Sequence, residues 1–167
     1  MNNMNISDPK VRECIKKTIG LKYGIEPAIA GMIYKLLKYV EEKNIESQVT
    51  MKLSELYQAV KPSNLILFDK MLYLLSRYGF IIVEAPYELV RKPRSVLKGQ
   101  SWKGVRQIIS ERGKDKRSAG EILLHIIYTT RSKTKRWRRR KILKDILEVT
   151  IIPSKLNRVK QCFQLNT

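Results

Sequence analysis

Residues 63–83 read SNLILFDKMLYLLSRYGFIIV, and the fold turns on this stretch. Ser63 can cap a helix, and Leu65, Phe68, Leu72 and Leu75 recur at the three-four spacing of one apolar helical face. Gly79 suits the residue just past the last turn, because glycine tolerates the left-handed conformation found there. Phe80 to Val83 are aromatic and β-branched and predict a strand, with a second strand, Tyr87 to Arg91, after Glu84–Ala85–Pro86. Upstream, Asp8 followed by Pro9 predicts a helix start. That helix buries Val11, Ile15 and Ile19 and stops near Gly20. A second helix from Glu26–Pro27 carries Ile29, Ile33, Leu36, Leu37 and Val40 on one face. Val49 to Lys52 then predicts a short strand and Leu53 to Val60 a short helix, before a turn at Lys61–Pro62.

Helix, strand, helix, turn, helix and hairpin across residues 26–92 resembles the winged helix-turn-helix superfamily. Met71-Leu72-x-x-Leu75 followed by Gly79-Phe80-Ile81-Ile82 carries the likeness. The resemblance implies that the third helix enters a major groove and that the hairpin touches backbone or minor groove. The residues fit that task poorly. The outer stripe of this helix is Ser63, Ile66, Lys70, Tyr73 and Arg77, and the hairpin carries Glu84 and Glu88, which phosphates repel. Lys70, Tyr73 and Arg77 are therefore secondary contacts, to nucleic acid or to a partner. A role in assembly or regulation follows for this domain, including a homodimer formed through it. The alternative is that the N-terminal helix covers Ile66 and Tyr73.

The expected fold class is mostly α with short β-hairpins (α+β). An N-terminal helical extension at 1–25 precedes the winged-helix domain at 26–92. A linker at 93–100 leads to a basic domain at 101–167, either winged-helix-like or a helical bundle. In that second half Trp102, Val105, Ile108 and Ile109 form an apolar helical face ending at Gly113. Lys114 to Arg117 is a charged turn, and Ser118-x-x-Glu121 reads as a capping box opening a helix from Ala119 to Thr130. A basic helix follows to about Glu148, then a strand from Val149 to Ile152. The tail predicts a turn and returning strand at 158–165, or a helix after Pro153 with Leu156, Val159 and Phe163 inward.

Charge separates the halves. Residues 1–92 carry 14 Lys/Arg against 10 Asp/Glu, and residues 93–167 carry 20 against 5, so +4 and +15 make up the total of +19. Arg131 to Lys141, RSKTKRWRRRK, holds eight basic residues, no acid and one Trp. Like charges crowded together oppose folding, so a polyanion is the expected counterpart. The expected nucleic-acid contacts are Arg131, Lys133, Lys135, Arg136, Arg138, Arg139, Arg140 and Lys141 on the basic helix. Lys155, Arg158 and Lys160 would be wing contacts, and Lys103, Arg106, Lys116 and Arg117 secondary ones. Arginine can pair with guanine edges, while both cations neutralise phosphates. Leu143, Ile146 and Leu147 face inward with Ile142 beside them. Trp137 either anchors the helix start in the core or stacks on a base.

Other classes have less to support them. No apolar run approaches the ~20 residues of a membrane span, and residues 1–10 lack a secretory pattern. Cys14, Cys162 and His125 are too few and too scattered for structural zinc, and the cysteines read as isolated thiols. No glycine-rich phosphate loop or Gly-x-Ser-x-Gly is present, so neither catalysis, cofactor nor metal is expected. Few aromatics are available to splay single-stranded RNA, which favours duplex DNA as partner. The expectation is a cytoplasmic, nucleoid-associated DNA-binding protein of winged-helix type, a transcription regulator or replication-initiator-like protein, binding through residues 133–148. The alternatives are a sequence-independent structural nucleoprotein (chromatin-like, virion packaging or ribosome-associated), or a protein-interaction adaptor.

Overall fold

The computed structural model describes Ile6 and residues 8–164. Residues 1–5 and 7 of the expected N-terminal extension, and Leu165, the last residue of the expected tail strand, lie outside the described residues. The local signals of the first half set its elements. Helix α1 (Pro9–Ile19) starts where the Asp8 carboxylate accepts from the Lys10 amide and stops at Gly20, whose φ is 90°. Helix α2 (Pro27–Glu42), strand β1 (Val49–Lys52), helix α3 (Leu53–Val60), helix α4 (Leu65–Arg77) and strand β2 (Ile81–Glu84) follow. Asn64 rather than Ser63 caps α4, its side chain accepting from the Leu67 amide. Gly79, at φ 80°, supplies the expected stop.

From residue 87 onward the structure departs from expectation at three places. Tyr87–Arg91 is helix α5, not a strand. Pro86 starts it by accepting from the Leu89 and Val90 amides. The place beside β2 that a hairpin partner would take belongs instead to strand β3 (Glu148–Ile151). Helices α6 (Pro93–Val96), α7 (Lys103–Arg112) and α8 (Lys116–Thr129) come between. The capping box of α8 is Asp115 with Ser118, each side chain accepting the other's amide, while Glu121 accepts from Ser76 on α4. Helix α9 (Lys133–Leu143) precedes β3, and helix α10 (Pro153–Lys160) follows it. The returning strand expected at 158–165 is therefore α10 and a 3-10 turn, Gln161–Gln164, with Leu156, Val159 and Phe163 buried as the helical alternative requires.

The sheet runs β1-β3-β2, antiparallel throughout, and Ile151 of β3 opposes both Val49 and Ile81. Its middle strand thus comes from the segment expected to be a separate domain. One contiguous apolar core runs from Val11 to Phe163 and includes side chains from both sides of 93–100. The strongest helix packing is that of α8 on α4, and α8 also lies across β2. Cys14 on α1 and Cys162 are joined in a disulfide with a sequence separation of 148, so they are not the isolated thiols expected. A cross-link closing so long a loop restricts the unfolded chain by about 5 kcal/mol in the chain-entropy account. Among the described residues no helix is long and apolar enough to cross a membrane.

Gly120 lets α8 approach the sheet. A Cβ there would lie 2.5 Å from the Val83 carbonyl oxygen, backbone that cannot swing aside. Gly120→Ala is expected to cost about 2 kcal/mol or more by overpacking. Gly104→Ala, also helical but with open space around it, should stabilise by up to about 1 kcal/mol. Urea unfolding of both variants checks the pair. Equal effects would mean that α8 and β2 are not in close contact.

Candidate nucleic-acid interface

Helix α9 begins at Ser132, whose hydroxyl accepts from the Lys135 amide. Its basic residues fall into two sets. Arg136, Arg139 and Arg140 turn back on the protein. Arg136 donates to the Thr130 carbonyl, and Arg139 to the Thr130 hydroxyl and the Ser101 carbonyl. The Arg139 guanidinium also sits 5.6 Å from the Trp102 ring centroid, and burial lowers its pKa. Arg131, Lys133, Lys135, Arg138 and Lys141 are exposed. Among the described residues none of these five meets a carboxylate within salt-bridge distance.

Arg140 is a correction to the sequence reading, being a structural residue and not a free contact. Its Nε and Nη2 donate to Oδ2 of Asp69 at 2.9 and 2.6 Å, and the Tyr57 hydroxyl donates to Oδ1. Asp69 is 0% exposed and the Arg140 side chain 12%. Burial pushes the Asp69 carboxyl up to about 6 against the pull of Arg140 and Tyr57. Burial also raises the Tyr57 hydroxyl well above its ordinary range, with Asp69 adding to the shift. The triad ties α9 to α3 and α4. Two α3 amides, Leu53 and Ser54, donate to the carbonyls of Leu147 and Lys144 just beyond α9. Leu143 and Leu147 are buried as expected, Ile146 half-buried, and Ile142 exposed. Trp137 is 61% exposed and so no core anchor.

The remaining expected contacts do not all join this face. Lys155 and Arg158 are exposed on α10, which packs on α1 and α2 rather than on α9. Arg158 lies over the Phe80 ring, and Lys160 pairs with Glu41 at 3.4 Å. Lys70 pairs with Glu26 at 3.4 Å. Tyr73 packs against His125 and Tyr128 of α8 and accepts from Arg77. The outer face of α4, expected to meet a partner, is thus covered on its Tyr73 side by α8 and not by the N-terminal helix. Arg106 donates to the Leu97 and Gly99 carbonyls. Lys103, Lys116 and Arg117 are exposed.

Sequence reasoning missed two features. One is the groove of about 500 Å³ between α9 and residues 98–102, which is non-local and left no signal in the spacing. The other is Asp69, and here a signal existed. A single carboxylate beside Phe68 and Leu72 on an apolar helix requires a buried cation or donor. Comparison with protein-family models, with curated proteins and with solved structures finds no match for this chain.

Removing one partner of the Asp69–Arg140 pair strands the other charge, so Asp69→Ala and Arg140→Ala should each cost about 3–5 kcal/mol. Tyr57→Phe/Asp69→Leu/Arg140→Met should recover most of that loss. The carboxyl also contributes a pH dependence. Its folded pKa of about 6 lies above the unfolded value, so its stabilisation is complete below pH ~4 and is lost as pH rises through 6. Relative to Asp69→Asn, the wild type should lose on the order of 2–3 kcal/mol between pH 4 and 7. Denaturant unfolding across that range reads it, and parallel curves would contradict the burial of an ionisable carboxyl.

Proposed function

We propose that this protein binds nucleic acid, duplex DNA foremost, by laying the exposed side of α9 along the phosphate backbone. The observation carrying this reading is the set of five cations that meet no carboxylate among the described residues, Arg131, Lys133, Lys135, Arg138 and Lys141. The winged-helix reading draws support from the order α2-β1-α3-α4-β2-β3 and the strand order β1-β3-β2. In that reading residues 85–147 stand where a short hairpin turn would be. The third helix, α4, is partly covered by α8, so contact with DNA passes to α9.

One observation favours the sequence-independent nucleoprotein over the regulator or replication initiator. Three of the four arginines of α9, Arg136, Arg139 and Arg140, are engaged internally and are not free to read guanine edges. Three of the five cations left are lysines, which act as point charges on phosphates. Disulfides persist in oxidising compartments and, inside cells, in hyperthermophiles, so an intracellular location carries that second condition for the Cys14–Cys162 bond.

Five phosphate contacts give a log-affinity against log-salt slope of about −4.5 on B-form DNA. In electrophoretic mobility assays Lys135→Glu/Arg138→Glu/Lys141→Glu should weaken duplex binding about 100-fold or more and flatten the slope to about −2. Its unfolding midpoint should stay near the wild type's, because none of the three supports the core. Wild-type affinity in that variant would sink the reading. Competition with random duplex then separates the classes: a regulator should prefer one sequence by about 10³ or more, and a packaging protein should show no such preference.

A further inference from the structure

The groove between α9 and residues 98–102 has a composition that phosphate contact alone does not account for. Trp102 forms part of its lining at 4% exposure, and Trp137 stands at its side with most of the indole in water. Lys98, Lys135 and Arg138 also line it, and among the described residues no acidic side chain does. Its far wall is held in place. Arg106 fixes the carbonyls of Leu97 and Gly99, and Arg139 fixes that of Ser101. The groove is therefore preformed, and an occupant does not bear the cost of ordering it.

Cations lining a cleft with a large exposed aromatic ring, and no carboxylate, suit a ligand that joins a neutral planar ring to a negatively charged group. A nucleotide is that chemistry. Within a duplex the base faces are already stacked and paired, so only an unpaired nucleotide can offer one to an indole. Lys141, which also lines the groove, places its Nζ 5.0 Å from the Trp137 ring centroid, and with Trp137 61% exposed, ring surface is left for a base. We propose that this groove takes one unpaired nucleotide of the bound nucleic acid, its base against Trp137 and its phosphate between Lys135 and Arg138. The inference rests on the nucleic-acid reading and deepens it, because it assigns the protein to places where a duplex opens, runs into a single-stranded overhang or loses a base pair.

The test uses the full chain and three probes of one sequence: a single strand, a blunt duplex, and that duplex with a short single-stranded overhang. Trp137→Ala should lose about tenfold or more in affinity for the single strand and the overhang. Blunt-duplex affinity should stay within about twofold. Trp137→Phe should retain most of the binding, since a smaller ring still stacks. Trp102 is the other tryptophan, so quenching seen in wild type but not in Trp137→Phe reports stacking at this site. Equal losses on all three probes, or none, would overturn the groove assignment and leave the basic face of α9 standing. Failure of the wild type to bind any of the probes would overturn both.

Discussion

A four-residue strand holds this molecule together. β3 lies between β1 and β2, its Val149, Thr150 and Ile151 are buried, and the Thr150 hydroxyl pairs with that of Thr50 at 2.7 Å. A middle strand satisfies backbone donors and acceptors on both sides, and buried groups of this kind cannot be left unpaired. β1 and β2 have no pairing with each other, so the small sheet exists only when residues 148–151 have come back to it. Everything between β2 and β3 must then fold as an excursion that returns. The returning segment fills space against the first half: α8 lies on α4 and β2, and Gly120 allows the approach. A chain whose halves differ so much in charge is thereby one body with one core.

The Asp69–Arg140 pair serves orientation more than stability. Bringing two charges out of water costs several kcal/mol each, and their attraction rarely does more than offset it. Its consequence is directional. Fixing Arg140 inward turns one side of α9 toward α3 and α4, and the next positions around the helix must then face outward. Arg139, held by Thr130 and Ser101, fixes the same rotation from the neighbouring side. Trp137, Arg138 and Lys141 are exposed as a result. The cationic face is thus a by-product of where three arginines are anchored.

What could be read from sequence was local. Asp8–Pro9, Gly20, Gly79 and the apolar stripe of α2 each act through neighbours within a turn, and the elements they define stand where the sequence put them. What failed was decided across the chain. Residues 87–91 have strand-like composition, but the edge they would pair with belongs to β3, so they form a helix that buries Leu89. Residues 158–164 carry a pattern compatible with either state. The core between α1 and α2 selects the helix, and the disulfide then fastens the end of the chain to α1. Arg140 looked like its neighbours because nothing in RSKTKRWRRRK marks the arginine that meets a carboxylate 71 residues earlier. The composition of the basic segment was legible, and its partition into anchored and free residues was not.

The free residues are also in the wrong place for folding. Unpaired amides give a helix N-terminus a partial positive charge, so cations there are unfavourable by roughly 0.3–1 kcal/mol each. Arg131, Lys133 and Lys135 crowd that end of α9, its first turn holds no acid, and Ser132 is its sole polar cap. Anchored arginines cannot relieve this, because their charge is of the same sign. A sequence shaped by stability alone would put Asp or Glu at these positions, as Asp8 does for α1 and Asp115 for α8. The unfavourable charge at the start of α9 is what the anionic partner proposed above would offset.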